Sequence, residues 1–414
     1  MDFIYIFLFL ILFIYLHLKS KNLGYRIIVW LHIISFITQF LICIYVDKFT
    51  LLTYVNIVFV CLNLSLIITP WSRFHILSNE LSSTRYIRFL TKYLRPYLML
   101  NCFLFTGLGI AIYTFFPSAR EFKQGGLKDI YESIPYFANL FRYAYTTQLF
   151  GYLAIPLFFR SLKNGFSKDS FFWLLASMSS LIAGVAFFSR SNMVSFSCVF
   201  AFFYMHQSRY IEAKLKETIK KLVKVGSVCT IIVFLTMSYN RFSTMDYLEE
   251  RIPKEAVVHD ITTYYLLYYA GQGFPYGLNS MEQYTSEKCQ NGSTFLYNTY
   301  QILGFFNIIK WDAADAVENR EKALGDMQDK FIGYTAESVY DLGYIGTIFL
   351  SLTYFLIVRK ICSRNNNEIK KLLLASILIQ IPMNSIYYNC LTGTLTTIMF
   401  FVALNLYYKF IHSK

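Results

Sequence analysis

Apolar runs of membrane length, separated by short basic segments, recur along this chain and decide what it can fold into. A stretch of roughly 17 to 25 apolar residues crosses a bilayer as a helix, because a helix satisfies every backbone N–H and C=O within one segment. Runs approaching or reaching this length fall at about 3–18, 27–46, 51–69, 98–116, 143–159, 170–188, 192–206, 223–238, 338–358, 372–388 and 391–408. The expectation is an all-α integral membrane protein of about eleven transmembrane helices. Composition agrees, since 56% of the 414 residues are hydrophobic, 15% are charged and the mean hydropathy is +0.42, outside the soluble globular range. The run at 3–18 has an acid rather than lysines before it and no small-residue cleavage site after it, so it reads as a first span and not as a cleaved signal.

Orientation follows from charge. Most of the 38 Lys and Arg residues fall at 19–26, 73–95, 160–168, 209–224, 359–371 and 409–414, on alternate loops, accompanied only by Glu80, Asp169, Glu212, Glu217 and Glu368. Lys and Arg accumulate on the cytoplasmic side, which puts the N-terminus outside and the C-terminus in the cytoplasm. The net charge of +13 is then a topology signal. A nucleic-acid partner would need a basic soluble domain, and none is present. Eight scattered cysteines outline neither a disulfide framework nor a metal site.

The chain divides into residues 1–238, with eight spans and a smaller external loop near 117–142, a large external loop at 239–336, and three more spans at 337–414. An inter-span loop of such length is usually functional or disordered. This one is apolar and aromatic at VHDITTYYLLYYAGQG (258 to 273) and STFLYNTYQILGFFNIIKW (293 to 311), which argues for interfacial or re-entrant helices. Were the second to span, the basic segment 359–371 would move outside, against the charge rule. No internal repeat of the transporter kind is visible.

The outer residues able to do chemistry are few. Arg190, in VAFFSRSNMVSF (185 to 196), and Arg241, in SYNRFS (238 to 243), lie at outer helix ends. Such an arginine either snorkels to the headgroups or offers its planar donor fork to a phosphate. Arg251 and Arg320 stand among acids (Glu249, Glu250, Glu318, Glu321), where local ion pairs of small worth compete with ligand binding. His259 is the only histidine of the external loops and suits general-base work at neutral pH, as does Asp260 beside it; a solvated surface histidine is the alternative. In GYTAESVYDLGYIGTIF (333 to 349), Glu337 and Asp341 are four apart and share one helix face. Acids at that depth need partners, either the loop arginines or a reacting sugar. Tyrosines including Tyr264, Tyr268, Tyr297 and Tyr300 suit sugar rings as well as a membrane interface.

Several of these stretches together resemble the bacterial oligosaccharide repeat-unit polymerases, or O-antigen polymerases. They are SRS at 189 to 191, Arg241, YYLLYYAGQGFPYGLN (264 to 279), NGSTF (291 to 295) and above all YTAESVYDLGYIG (334 to 346). The last is similar to the family's tyrosine-threonine pair followed by aspartate-x-glycine-x-x-glycine at the entry to a late span. The likeness covers topology over most of the chain but motifs only from about 185 to 350, and Gly333 stands where the family often has asparagine.

The resemblance implies a metal-independent glycosyltransferase of the bacterial cytoplasmic (inner) membrane. It would polymerise oligosaccharides carried on undecaprenyl or another polyprenyl diphosphate, on the outer face, for lipopolysaccharide-type polysaccharide biosynthesis and without a further cofactor. Arg190, Arg241 and Arg320 would hold the diphosphate, and His259 or Glu337, with Asp341, would serve the proton transfer. Tyr264, Tyr268, Tyr334 and Thr335 would bind sugar. Partners would be the lipid-linked oligosaccharides, membrane lipids, a chain-length regulator and a flippase. The alternatives are an O-antigen ligase, whose histidine and glycine motif His259, Gly271 and Gly273 match approximately, and a transporter of lipid-linked oligosaccharides.

Overall fold

The computed structural model describes residues 2–76, 84–115, 140, 143–162, 165, 167–208, 211, 213–242, 246–305, 308–311, 313–363 and 369–412. Every regular element among them is helical. The chain begins with α1 (Phe3–Leu18), α2 (Leu23–Leu41), α3 (Leu51–Ile68) and α4 (Thr84–Phe115). It continues through α5 (Ala154–Ser161), α6 (Lys168–Ser177), α7 (Ser179–Ala186), α8 (Arg190–Gln207) and α9 (Ala213–Phe242). Four shorter helices follow: α10 (Ile261–Gly271), α11 (Gly273–Glu282), α12 (Tyr297–Phe305) and α13 (Ala313–Leu324). Then come α14 (Gly333–Ile361), α15 (Ile369–Leu378), α16 (Gln380–Asn384) and α17 (Leu391–His412).

Seven helical stretches among the described residues are long and apolar enough to cross a membrane: Leu23–Leu41, Leu51–Arg73, Thr84–Phe115, Lys168–Ala186, Leu215–Tyr239, Gly333–Ile361 and Leu391–His412. This differs from the expected eleven, and each difference has a local cause. α1 is apolar but has 16 residues, about 24 Å of helix at 1.5 Å per residue. The run at 143–159 breaks into a short helical piece at 143–147, a turn, a 3-10 piece at Phe150–Leu153 and α5. α8 is continuous, but Ser191, Asn192, Ser195, His206 and Gln207 dilute it. The run at 372–388 is divided between α15 and α16, and Pro382 removes a backbone donor there. The smaller loop near 117–142 lies outside the described residues, Leu140 excepted.

Two compact units are interleaved in sequence. The first gathers Met1–His75, Tyr247–Asn365 and Leu378–Leu395, and the second Ile76–Asp246, Asn366–Ile377 and Thr396–Lys414. The stretch after residue 246 thus folds within the first unit and is not a unit of its own. There α10 packs on α2, α11 on both α3 and α14, and α14 on α3. Phe274 of α11 enters a ring cluster with Phe9, Phe13 and Phe36, its centroid 5.0 Å from that of Phe9 and 5.7 Å from that of Phe36. Gly273 permits the approach, since a Cβ there would sit 1.8 Å from the Ile386 carbonyl oxygen.

Several buried polar side chains inside this unit are joined in pairs and chains, which offsets the cost of removing them from water. Ser351 donates to Asn63 Oδ1 at 2.7 Å, so the Tyr334 hydroxyl, 3.2 Å away, is the donor to Ser351. Trp71 donates to the Tyr354 hydroxyl at 2.8 Å, and His32 lies between the Ile28 carbonyl and Ser385 Oγ.

In the second unit, α4 packs against α6 and α7 around Phe105, Leu108, Ile112, Ala183 and Ala186. Large apolar residues stay exposed on the long helices of both units, among them Leu51, Phe103, Ile232, Ile345 and Phe410. An apolar surface of this extent fits a bilayer and not water.

Candidate functional site

The site is built around a break in α14. Gly343 has φ 70° and ψ 175° inside the helix, a conformation open essentially to glycine alone. A helix interrupted there leaves carbonyls of the preceding turn without their usual amides. The segment before α12 takes them: Gln290 N–H donates to the Tyr340 carbonyl and Gly292 N–H to the Asp341 carbonyl, both at 2.8 Å. The turn that delivers these amides carries two left-handed residues, Asn291 (φ 50°) and Gly292 (φ 83°).

The Asp341 carboxylate completes the attachment. Its two oxygens accept separately, from Thr294 N–H at 3.0 Å and Phe295 N–H at 2.7 Å, and the residue is only 3% exposed. The carboxylate therefore satisfies amides at the head of the segment leading into α12, as a capping residue does. Thr392, at the start of α17, donates to the Thr294 carbonyl at 2.6 Å and closes the other side. A reacting group needs access, so the catalytic role expected for Asp341 gives way to a positioning one.

One turn earlier on the same helix face stands Glu337. Its Oε1 accepts from Arg320 Nη2 at 2.9 Å and its Oε2 from the backbone N–H of Asn389 at 2.6 Å. The side chain of Glu337 is 9% exposed and that of Arg320 43%, so the pair presents its cation outward and keeps its anion inside. The Asn389 amide donates to Ser338 Oγ at 2.9 Å, while its carbonyl oxygen accepts from Leu391 N–H at 3.0 Å. Both acids foreseen to need partners have them, one an arginine and the other a pair of amides. Among the described residues Glu337 is the acceptor that the guanidinium meets, which leaves donors for a second anion.

An aromatic strip adjoins this pair. Tyr269 lies 5.6 Å from Phe331, which in turn lies 5.6 Å from Tyr387 and 6.2 Å from Tyr388. Lys330 Nζ stands 4.5 Å above the ring of Tyr276, whose hydroxyl accepts from Tyr268 at 3.1 Å.

An open cleft of about 640 Å³ is lined by another face of α13. One wall is the α13 face carrying Asp315, Asn319 and Lys322; the other is the segment of Cys289, Gln290 and Ser293, and Lys310 and Trp311 also contribute. Arg320 follows Asn319 by one residue, about 100° around the helix, so α13 shows Asn319 to the cleft and Arg320 to Glu337.

The other expected site residues are placed as follows. Tyr334 is 1% exposed, Thr335 4% and Tyr264 3%. Tyr334 bonds to Ser351, and Tyr264 donates to the Ile42 carbonyl at 3.3 Å. Tyr334 and Thr335 border a cavity of about 20 Å³, room for a single water. These three are interior residues and show no face to a sugar, which corrects their expected role; Tyr268 is half-buried.

His259 is exposed, just before the Asp260 cap of α10, and no contact with Arg320 or Glu337 is found among the described residues. The Asp260 carboxylate accepts from Thr263 N–H at 2.8 Å and Thr263 Oγ1 at 2.7 Å, and these bonds hold its carboxyl below the ordinary range. Arg190 opens α8 after a tight turn in which Phe188 has φ 51° and Ser189 N–H donates to the Gly184 carbonyl. Arg241 lies in the last turn of α9. Both arginines belong to the second unit, and their side chains lie outside the described residues. Among the described residues no group of His, Cys, Asp and Glu is arranged to hold a metal.

Sequence reasoning passed over Asn389, Trp311 and Asn319. Trp311 carries a signal, as the one tryptophan of the large loop; Asn389 ends a polar interruption, NSIYYN (384 to 389), just past the expected span at 372–388. No family model, no curated protein and no solved structure matches the chain. What the structure establishes, among the described residues, is an all-α chain with seven helical stretches long and apolar enough to cross a membrane.

Proposed function

We propose that this protein is a glycosyltransferase of the bacterial cytoplasmic membrane that polymerises polyprenyl-diphosphate-linked oligosaccharide repeat units on the outer face. On this reading the four shorter apolar segments complete eleven crossings, the N-terminus is outside, and the stretch 239–336 faces outward. The observation that carries the reading is the Arg320–Glu337 pair. A half-exposed guanidinium is fixed on a buried carboxylate, at the head of a helix that continues as one of the seven long apolar stretches, beside a strip of aromatic rings.

The chemistry requires few parts. A hydroxyl oxygen of the acceptor repeat unit attacks the donor's anomeric carbon, the bond from that carbon to the diphosphate oxygen breaks, and polyprenyl diphosphate departs through an oxocarbenium-like transition state. Arg320 stabilises charge on the departing diphosphate. The hydroxyl proton passes to a base, Glu337 or His259.

The test is polymer formation from purified undecaprenyl-diphosphate-linked repeat units in nanodiscs, read as a ladder on a gel. Wild-type protein should give the ladder, and Arg320→Ala, shown folded by its elution and helical spectrum, should lose it. Transfer of a preformed glycan to a lipid acceptor without a ladder would instead identify a ligase. A ladder undiminished in Arg320→Ala would remove the arginine from the reaction.

A further inference from the structure

We infer that the cleft between α13 and the 289–293 segment is a saccharide-binding subsite, and that Glu337 and Asp341 are the two fastenings that hold its walls at a fixed spacing. The volume, about 640 Å³, lies within the roughly 300–1,000 Å³ of ligand pockets. Its chemistry is that of a partner for many hydroxyls. Gln290 and Asn319 supply both donors and acceptors, Ser293 a hydroxyl and Asp315 an acceptor-only carboxylate, the mixture that groups which each donate and accept require. Among the described residues the aliphatic lining is Ala316 and Ala323, too little for a lipid chain.

An anion is a poorer fit. Lys288 already donates to the Gln283 carbonyl at 3.0 Å, Lys322 is paired with Glu318 at 2.5 Å, and Glu287 and Asp315 offset what remains. Trp311 supplies the flat apolar face that sugar rings pack on. It is backed by Tyr300 at 4.9 Å and Tyr297 at 6.0 Å between centroids. Its indole N–H is sealed from solvent and has no acceptor among the described residues, so turning the ring toward a bound sugar breaks no hydrogen bond.

The walls are tied to one face of α14. Asp341 holds the 289–295 segment through the Thr294 and Phe295 amides, and Glu337 holds α13 through Arg320. The two acids are one turn apart, so the cleft's width is set by a single rigid element. The kind of saccharide rests on the proposed function; the cleft and its chemistry do not.

The probe is a set of oligosaccharides of one to three repeat units, released by partial acid hydrolysis of the source cell's surface polysaccharide, titrated calorimetrically into the full chain in nanodiscs. Saturable binding should weaken at least tenfold in Trp311→Ala and in Asn319→Ala. The latter is a change on an exposed helix face and keeps the test sound should Trp311→Ala fold poorly. Asp341→Asn, which touches no ligand, should weaken binding several-fold with unchanged stoichiometry. No saturable binding by wild-type protein, or binding equal in wild type and both cleft variants, overturns the inference even where a polymer ladder still forms. Binding that depends on Trp311 and Asn319 in a protein that makes no ladder supports the subsite and sinks the polymerase instead.

Discussion

The Arg320–Glu337 pair makes an asymmetric prediction. Removing one member of a fully buried ion pair costs about 3–5 kcal/mol, whereas surface pairs are worth about 0–1. This pair is buried on one side only, with Glu337 at 9% and Arg320 at 43% exposure. Arg320→Ala strands a carboxylate whose remaining donor among the described residues is Asn389 N–H at 2.6 Å, and should cost about 2 kcal/mol. Glu337→Gln leaves a guanidinium that water can reach, and its amide oxygen still accepts from Asn389, so the cost should be about 1 kcal/mol. The double variant Arg320→Ala/Glu337→Gln should then be more stable than Arg320→Ala alone, because a neutral amide is buried without a counter-charge. In detergent micelles, with roughly 2–4 °C per kcal/mol for a unit of this size, Arg320→Ala should lower the unfolding midpoint by about 4–8 °C, and Glu337→Gln should restore part of it. Costs that simply add, leaving the double variant the least stable, would show that the Glu337 charge does not depend on Arg320.

Other perturbations test the frame around the site. Gly343→Ala, forced to hold φ 70° and ψ 175°, should lose about 1–3 kcal/mol and loosen the 289–295 segment, read as faster amide exchange at Thr294 and Phe295. Gly273→Ala places a Cβ 1.8 Å from the Ile386 backbone oxygen, and the yield of folded, monodisperse protein should collapse; normal yield would mean that α11 can retreat. Asp260→Ala removes the α10 cap and should cost about 1 kcal/mol, with exchange rising only in the first turn of that helix. Because the folded-state pKa of Asp260 is lowered, the cap's contribution is complete above the ordinary carboxyl value near 4 and disappears as pH falls through the lowered one. Exchange at Thr263 that stays constant from pH 5 down to pH 2, after correction for intrinsic rates, would contradict this.

The membrane character of the chain is legible in its residues, because hydropathy over a helix-length window is a local property and transfer into lipid is governed by it. The same locality lets Glu337 and Asp341 be placed on one helix face from a spacing of four, and lets both be recognised as acids in need of partners. What those partners are is another matter. Asp341 is answered by amides about fifty residues earlier, and Glu337 by Arg320 and by an amide about fifty residues later. The amide partners lie some fifty residues away, outside any helix-length window, whereas Arg320, 17 residues before Glu337, is one of the loop arginines that the sequence offers.

Tertiary structure also decided which tyrosines are interior. Tyr264, Tyr334 and the half-buried Tyr268 have the same composition signal as any interfacial aromatic, and only packing separates them. The break at Gly343 was readable as a glycine and not as a kink, since the conformation is stabilised by the loop that captures the freed carbonyls. Local chemistry fixed where helices and charges would lie; which of them meet is decided by hydrogen bonds and close packing between segments far apart in the chain.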